Sequence, residues 1–106
     1  MDAQLKKGSL EVCVLAVLLD NDSYGYKIIQ DLDGVLNISE STLYPILKRL
    51  ENNKLVSTYS VEHNGRLRKF YSITKQGEER IKDYIIDFKE LLTVYQFIVK
   101  RSMKKW

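Results

Sequence analysis

Small polar side chains lead directly into two cations along Ser39-Glu40-Ser41-Thr42-Leu43-Tyr44-Pro45-Ile46-Leu47-Lys48-Arg49-Leu50. Hydroxyls can exchange hydrogen bonds with base edges, and lysine and arginine can neutralise phosphates, so this composition belongs to nucleic-acid recognition. Spacing decides whether the groups can act together. At about 100° per residue, Leu43, Ile46, Leu47 and Leu50 gather on one side of a helix. Ser41, Pro45 and Lys48 face the other way, flanked by Thr42, Tyr44 and Arg49. An ordinary solvated helix face mixes both signs of charge, whereas this one runs from neutral hydroxyls to cations. A second group of cations, Arg66, Arg68 and Lys69, follows Asn64-Gly65, a pair suited to the positive φ values of a tight hairpin. Around such a turn they can straddle a phosphate backbone or enter a minor groove.

Other chemistries lack their parts. No Gly-rich phosphate loop, metal-ligand cluster or nucleophile–base pair can be picked out, and His63, the single histidine, falls in the hairpin. Neither an enzyme nor a bound cofactor is expected. The one cysteine, Cys13, lies in the apolar run over residues 12–19 and reads as packing, which fits a reducing compartment. That run is too short to cross a bilayer, and Met1-Asp2-Ala3-Gln4 has no secretory-signal character, so a cytoplasmic chain without a membrane partner is expected.

With 106 residues, 44% of them hydrophobic and 29% charged, the chain has the composition of one globular domain with a modest core. Its charge is unevenly spread. Residues 1–40 carry a balance of −4, residues 41–69 one of +4 and residues 70–106 one of +3. The positive field begins at the polar helix and continues through the hairpin, which favours a polyanionic partner.

Several elements must hold these groups in place. Residues 5–19 read as a first helix, apolar on most sides. Ser23 stands where it would cap a second helix, in which Tyr24, Ile28 and Leu32 recur every fourth residue. Gly25 in its first turn implies a close backbone contact. Asp33-Gly34 breaks that helix, and the polar helix follows, capped by Ser39 or Ser41. Strands over residues 55–61 and 67–73 flank the Asn-Gly turn. Two helices, a link, a third helix and a hairpin make a winged helix-turn-helix.

Thr74 then caps a long helix over residues 75–100, spanning roughly 39 Å at ~1.5 Å per residue. Along it Ile81, Ile85, Phe88, Leu92, Tyr95 and Val99 recur in alternating steps of four and three, with Tyr84, Leu91 and Ile98 beside them. A winged domain of this size cannot cover so long an apolar face, so a second copy of the chain is the expected cover, in addition to packing on the first helix. The expected fold is mainly α with a small β-hairpin. It comprises a winged helix-turn-helix DNA-binding domain over residues 1–74 and a dimerisation helix with a basic, frayed tail over residues 75–106.

Gly8-Ser9-Leu10, Tyr24-Gly25-Tyr26, Thr42-Leu43-Tyr44-Pro45 with Leu47, Arg49-Leu50-Glu51, and Arg68-Lys69-Phe70-Tyr71 with Ile73-Thr74 and Gly77 resemble the PadR family of bacterial transcriptional regulators. The length resembles the family's short branch, with one long C-terminal helix. The resemblance implies a homodimeric repressor that binds a palindromic operator on double-stranded DNA and is released by an effector. By position it implies DNA contacts from Ser41, Thr42, Tyr44 and Pro45, then Lys48 and Arg49, and from the wing residues Gly65, Arg66, Arg68 and Lys69. Two departures stand out. Ser41 occupies a position where the family commonly has glycine, and so does Lys54, which must turn left-handed unless Asn53 takes that role. The resemblance further implies a small aromatic effector between the paired helices, with Phe88 where a tryptophan commonly stands. The alternative is a winged-helix protein-interaction module without DNA binding.

Overall fold

The computed structural model describes residues 3–106, with side chains from Gly8 onward, and the expectation about the first residues, Met1 and Asp2, lies outside the described residues. Six elements follow one another: α1 (Ala3–Asp20), α2 (Gly25–Leu32), α3 (Glu40–Asn52), β1 (Val56–His63), β2 (Arg66–Ile73) and α4 (Lys75–Ser102). The chain is a mostly helical winged fold with one antiparallel hairpin, as its apolar spacing predicts. Among the described residues, no helix is long and apolar enough to cross a membrane.

The core forms where three helices meet. Val14, Leu15 and Leu18 of α1 pack with Ile28 and Leu32 of α2 and with Leu43, Ile46, Leu47 and Leu50 of α3. Leu55, Val56, Tyr71 and Ile81 close it from the hairpin and from the root of α4. Each such side chain taken from water contributes about 1.5–3 kcal/mol, so these residues fix how the helices are rotated.

Two local expectations change, and one open choice closes. Ser23 does not cap α2; Tyr24 is the N-cap residue, without a side-chain cap bond. Ser23 instead pairs with β2, its N–H donating to the Tyr71 carbonyl at 3.1 Å and its carbonyl accepting from the Tyr71 N–H at 2.7 Å. Two backbone bonds outweigh one side-chain cap. Ser39, not Ser41, is the N-cap of α3, because its carbonyl accepts from the N–H groups of Thr42 and Leu43. Pro45 therefore lies inside the helix, where the Ser41 carbonyl receives no bond from it. The end expected to fray continues through backbone bonds as far as Trp106 N–H to the Ser102 carbonyl, 3.1 Å.

The departure at Lys54 resolves in favour of strain. Lys54 is left-handed, with φ 61°, while Asn53 stays at φ −90°. Leu55 N–H then reaches the Leu50 carbonyl and Lys54 N–H the Glu51 carbonyl, the paired bonds that close a helix end. This sharp stop delivers the chain to a seam with α4. Thr74 accepts from Gly77 N–H at 3.1 Å and donates its hydroxyl to the Lys54 carbonyl at 2.8 Å. Gly77 is buried against that corner, and a Cβ there would stand 2.7 Å from Ile73 Cγ1 and overlap the Leu55 carbonyl oxygen.

Opposite changes at the two positions should move stability in opposite directions. Gly77→Ala is expected to lose about 1–3 kcal/mol by overpacking. Lys54→Gly is expected to gain up to about 1 kcal/mol by relieving the left-handed lysine. Denaturant unfolding of both variants checks the pair.

Candidate nucleic-acid interface

Once its leucines are buried, α3 offers the opposite face to solvent. Ser41, Thr42, Tyr44, Pro45 and Lys48 are all exposed. The hydroxyls at the start of the helix form a cluster, with Ser39 Oγ 2.8 Å from Ser41 Oγ and 3.3 Å from Thr42 Oγ1. Such hydroxyls can turn to donate or accept, which suits contact with varied base edges. Tyr44 lies over the first turn of α2, and a Cβ on Gly25 would come within 2.8 Å of its hydroxyl. Gly25 therefore has the close contact expected of it, but with a side chain from α3.

Arg49 takes a different course from its neighbours. It is half-buried and turned toward α1, where its Nε donates to Glu11 Oε1 at 3.0 Å. The other carboxylate oxygen of Glu11 receives Nη2 of Arg80 on α4 at 3.5 Å. Glu11 is buried, and its spacing within α1 gave no sign of either partner.

The wing turns through Asn64 at φ 52° and Gly65 at φ 79°, the left-handed pair that a two-residue hairpin requires. Its register runs from His63↔Arg66 at the tip to Val56↔Ile73 at the base. Arg66 is exposed at the tip. The Arg68 guanidinium lies 4.2 Å above the ring of Tyr24, so it is held over the α1–α2 corner instead of trailing in solvent. Phe70 meets Tyr24 edge-on at 5.3 Å, and Tyr59 stacks on Phe70 at 5.6 Å. The Tyr59 hydroxyl donates to Asp22 at 2.7 Å. Lys69 points across the strand to Glu51, Nζ to Oε1 3.1 Å, and that bond raises its pKa above the usual lysine value. Among the described residues, Lys48 and Arg66 have no ion-pair partner, so the cations predicted from sequence fall into a free set and a committed set.

Between α3 and the wing lies a cleft of about 920 Å³. Tyr44, Arg66, Arg68 and Lys69, named from sequence as candidate DNA contacts, line it together with Tyr24, Tyr26, Glu40 and His63, which were not assigned to the site. The aromatic pair around Gly25 was the available signal for the tyrosines; nothing local marked Glu40. No group of three or more potential ligands for a metal ion occurs among the described residues.

The model of the PadR-like family of transcriptional regulators matches residues 14–83. The chain belongs to that family. A PadR-like transcription factor from Bacteroides fragilis is 38% identical, with a TM-score of 0.80 over 91% of this chain and 95% of that one. A Streptococcus mutans UA159 protein is 39% identical, with a TM-score of 0.78 over 89% of each chain. Bacillus subtilis PadR, solved in complex with operator DNA, shares the fold at 22% identity, with a TM-score of 0.69 over 74% of this chain and 47% of that one.

The tether between wing and α1–α2 corner has a titration signature. The hydrogen bond to Asp22 is the main cause holding the Tyr59 pKa above the ordinary tyrosine value, followed by the small desolvation of the ring. A folded-state pKa above the unfolded one means the bond's stabilisation is present below the unfolded value and is lost as pH rises through the folded value. Ring resonances of Tyr59 should therefore titrate later than those of a free tyrosine, and Asp22→Asn should bring them back toward it. NMR titration of both proteins checks this.

Proposed function

We propose that this PadR-like regulator is a homodimeric, sequence-specific DNA-binding repressor of a palindromic operator, released by a small aromatic effector. One observation carries the reading. The exposed face of α3 holds Ser41, Thr42, Tyr44, Pro45 and Lys48 beside a wing whose turn projects Arg66 and whose Arg68 is fixed in place. A helix of this kind enters a major groove. Ser41, Thr42 and Tyr44 then meet base edges and Lys48 a phosphate, while Arg66 and Arg68 follow the adjacent backbone or minor groove. Gly65 shapes the turn that carries them. Arg49 and Lys69, each already held by a carboxylate, serve the site by bracing it.

The second half of the proposal rests on α4. Its 28 residues reach about 42 Å, and the molecule measures 64 × 26 × 22 Å. Ile81 is taken up by the chain's own core and Tyr84 is half-buried, its hydroxyl 2.7 Å from Ser9 Oγ. Beyond them Ile85, Phe88, Leu92 and Tyr95 are exposed, Ile85 and Tyr95 at 58% and 61%, with half-buried Val99 continuing the line. At about 1.5–3 kcal/mol per large apolar side chain, covering this face supplies a strong drive to pair. Helix-turn-helix dimers bind half sites about 34–36 Å apart, so two-fold pairing of this chain suits a palindrome. Residues 1–74 then act as the reader and residues 75–106 as the dimerisation unit. An apolar hollow of about 470 Å³, lined by Phe88, Leu91, Leu92, Val94, Tyr95 and Ile98, suits the face of a planar aromatic effector. Such a regulator works in the cytoplasm, with no membrane partner and no catalytic role.

Binding of the purified chain to its own promoter region is expected to weaken with salt, by about 0.9 log unit per log unit of salt for each phosphate neutralised. Lys48→Ala and Arg66→Ala should each flatten that slope and weaken all sequences alike. Thr42→Ala and Tyr44→Phe should instead change which sequence is selected from a random duplex library. The absence of any salt-dependent binding by a folded dimer defeats the proposal. A folded monomer that captures a different protein supports the interaction-module alternative.

A further inference from the structure

Two arms of one buried carboxylate reach the two functional helices. Glu11 accepts Arg49 of α3 on one oxygen at 3.0 Å and Arg80 of α4 on the other at 3.5 Å, with only 9% of its side chain exposed. α1 packs on both α3 and α4 and stands between them. The root of α4 is held at the Thr74–Gly77 seam, by Ile81 in the core and by the Tyr84 contact with Ser9 of α1. Arg80, one turn beyond Gly77, adds the contact that continues through Glu11 to Arg49 of α3. From the geometry we infer that Glu11 is a positioning residue, which sets the angle between the DNA-reading helix and the dimerisation helix and through it the half-site spacing the dimer accepts. This inference rests on the dimeric DNA-reader proposal and adds to it.

The chemistry of the link supports that role over simple adhesion. Arg49 holds one oxygen of Glu11 at 3.0 Å and so turns the other toward α4, where the half-exposed Arg80 meets it at 3.5 Å. The apolar contacts of α3 with α1 tolerate small slides, because dispersion is not directional. The polar link does not. On a duplex, one extra base pair between half sites moves the second by about 3.4 Å, and a tilt of about 5° at the root of a 28-residue helix displaces its far end by a similar distance, so a small change of angle becomes a choice of spacer.

Operators carrying the selected half site with spacers of varied length test the inference on the full-length chain. The unmodified protein is expected to prefer one spacer. Glu11→Gln keeps the side chain's shape but turns an amide donor toward one of the arginines. Arg80→Gln changes only an exposed side chain on α4, so its folding is safe. Both variants should lose discrimination against spacers one base pair longer or shorter by about fivefold, while the preferred half-site bases stay the same. If folded, dimeric Arg80→Gln keeps the original spacer discrimination, the inference is overturned, even if Glu11→Gln does not fold. If the unmodified chain binds no duplex at all, the failure lies with the proposed function and is recognised as such before either variant is made.

Discussion

Burial of Leu43, Leu47 and Leu50, none more than 1% exposed, sets the rotation of α3 about its own axis. A helix has one circumference, so fixing these leucines against α1 and α2 decides what every other position can do. Ser41, Pro45 and Lys48 fall opposite the core and stay exposed, Ser41 meeting only the Ser39 hydroxyl at the helix start. The flanking positions meet neighbours instead. Tyr44 leans over Gly25 of α2 on one side, and Arg49 turns down to Glu11 of α1 on the other. The exposed face is what the leucines leave over, and it is narrowed from both edges by packing.

The wing obeys the same logic at its own scale. A bare two-stranded hairpin is marginal in water. Here the strands gain a third partner, since Ser23 pairs with Tyr71 by two backbone bonds. Tyr24, Phe70 and Tyr59 stack alongside, and Asp22 holds the outermost ring by its hydroxyl. Arg68 is therefore positioned from below by an aromatic platform, whereas Arg66, beyond the platform, is held only by the turn.

Much of this was legible in the sequence because it is periodic or local. The leucines of α3 and the Asn64-Gly65 turn declare themselves within a dozen residues, and the stripe along α4 by its regular repeat. What stayed hidden depends on groups far apart in the chain. Arg49 and Lys69 carry the composition of DNA contacts, and only the folded chain brings them to Glu11 and Glu51. Ser23 looks like a helix cap until a strand some fifty residues later offers its backbone. Lys54 shows the opposite case. Its left-handed turn was foreseeable from its place at the helix end, because a chain that must stop there and enter the hairpin has few ways to do so.

The uncovered side chains along α4 would tie the fate of a pairing chain to its abundance. Ile85, Ile86, Phe97 and Ile98 are all exposed in the single copy. If copies pair there, the resistance of each fold to heat and to proteases rises with the number of chains present, by mass action. Few chains then means not only few regulators but short-lived ones. Such a molecule responds to its own supply more steeply than a self-sufficient monomer of the same size.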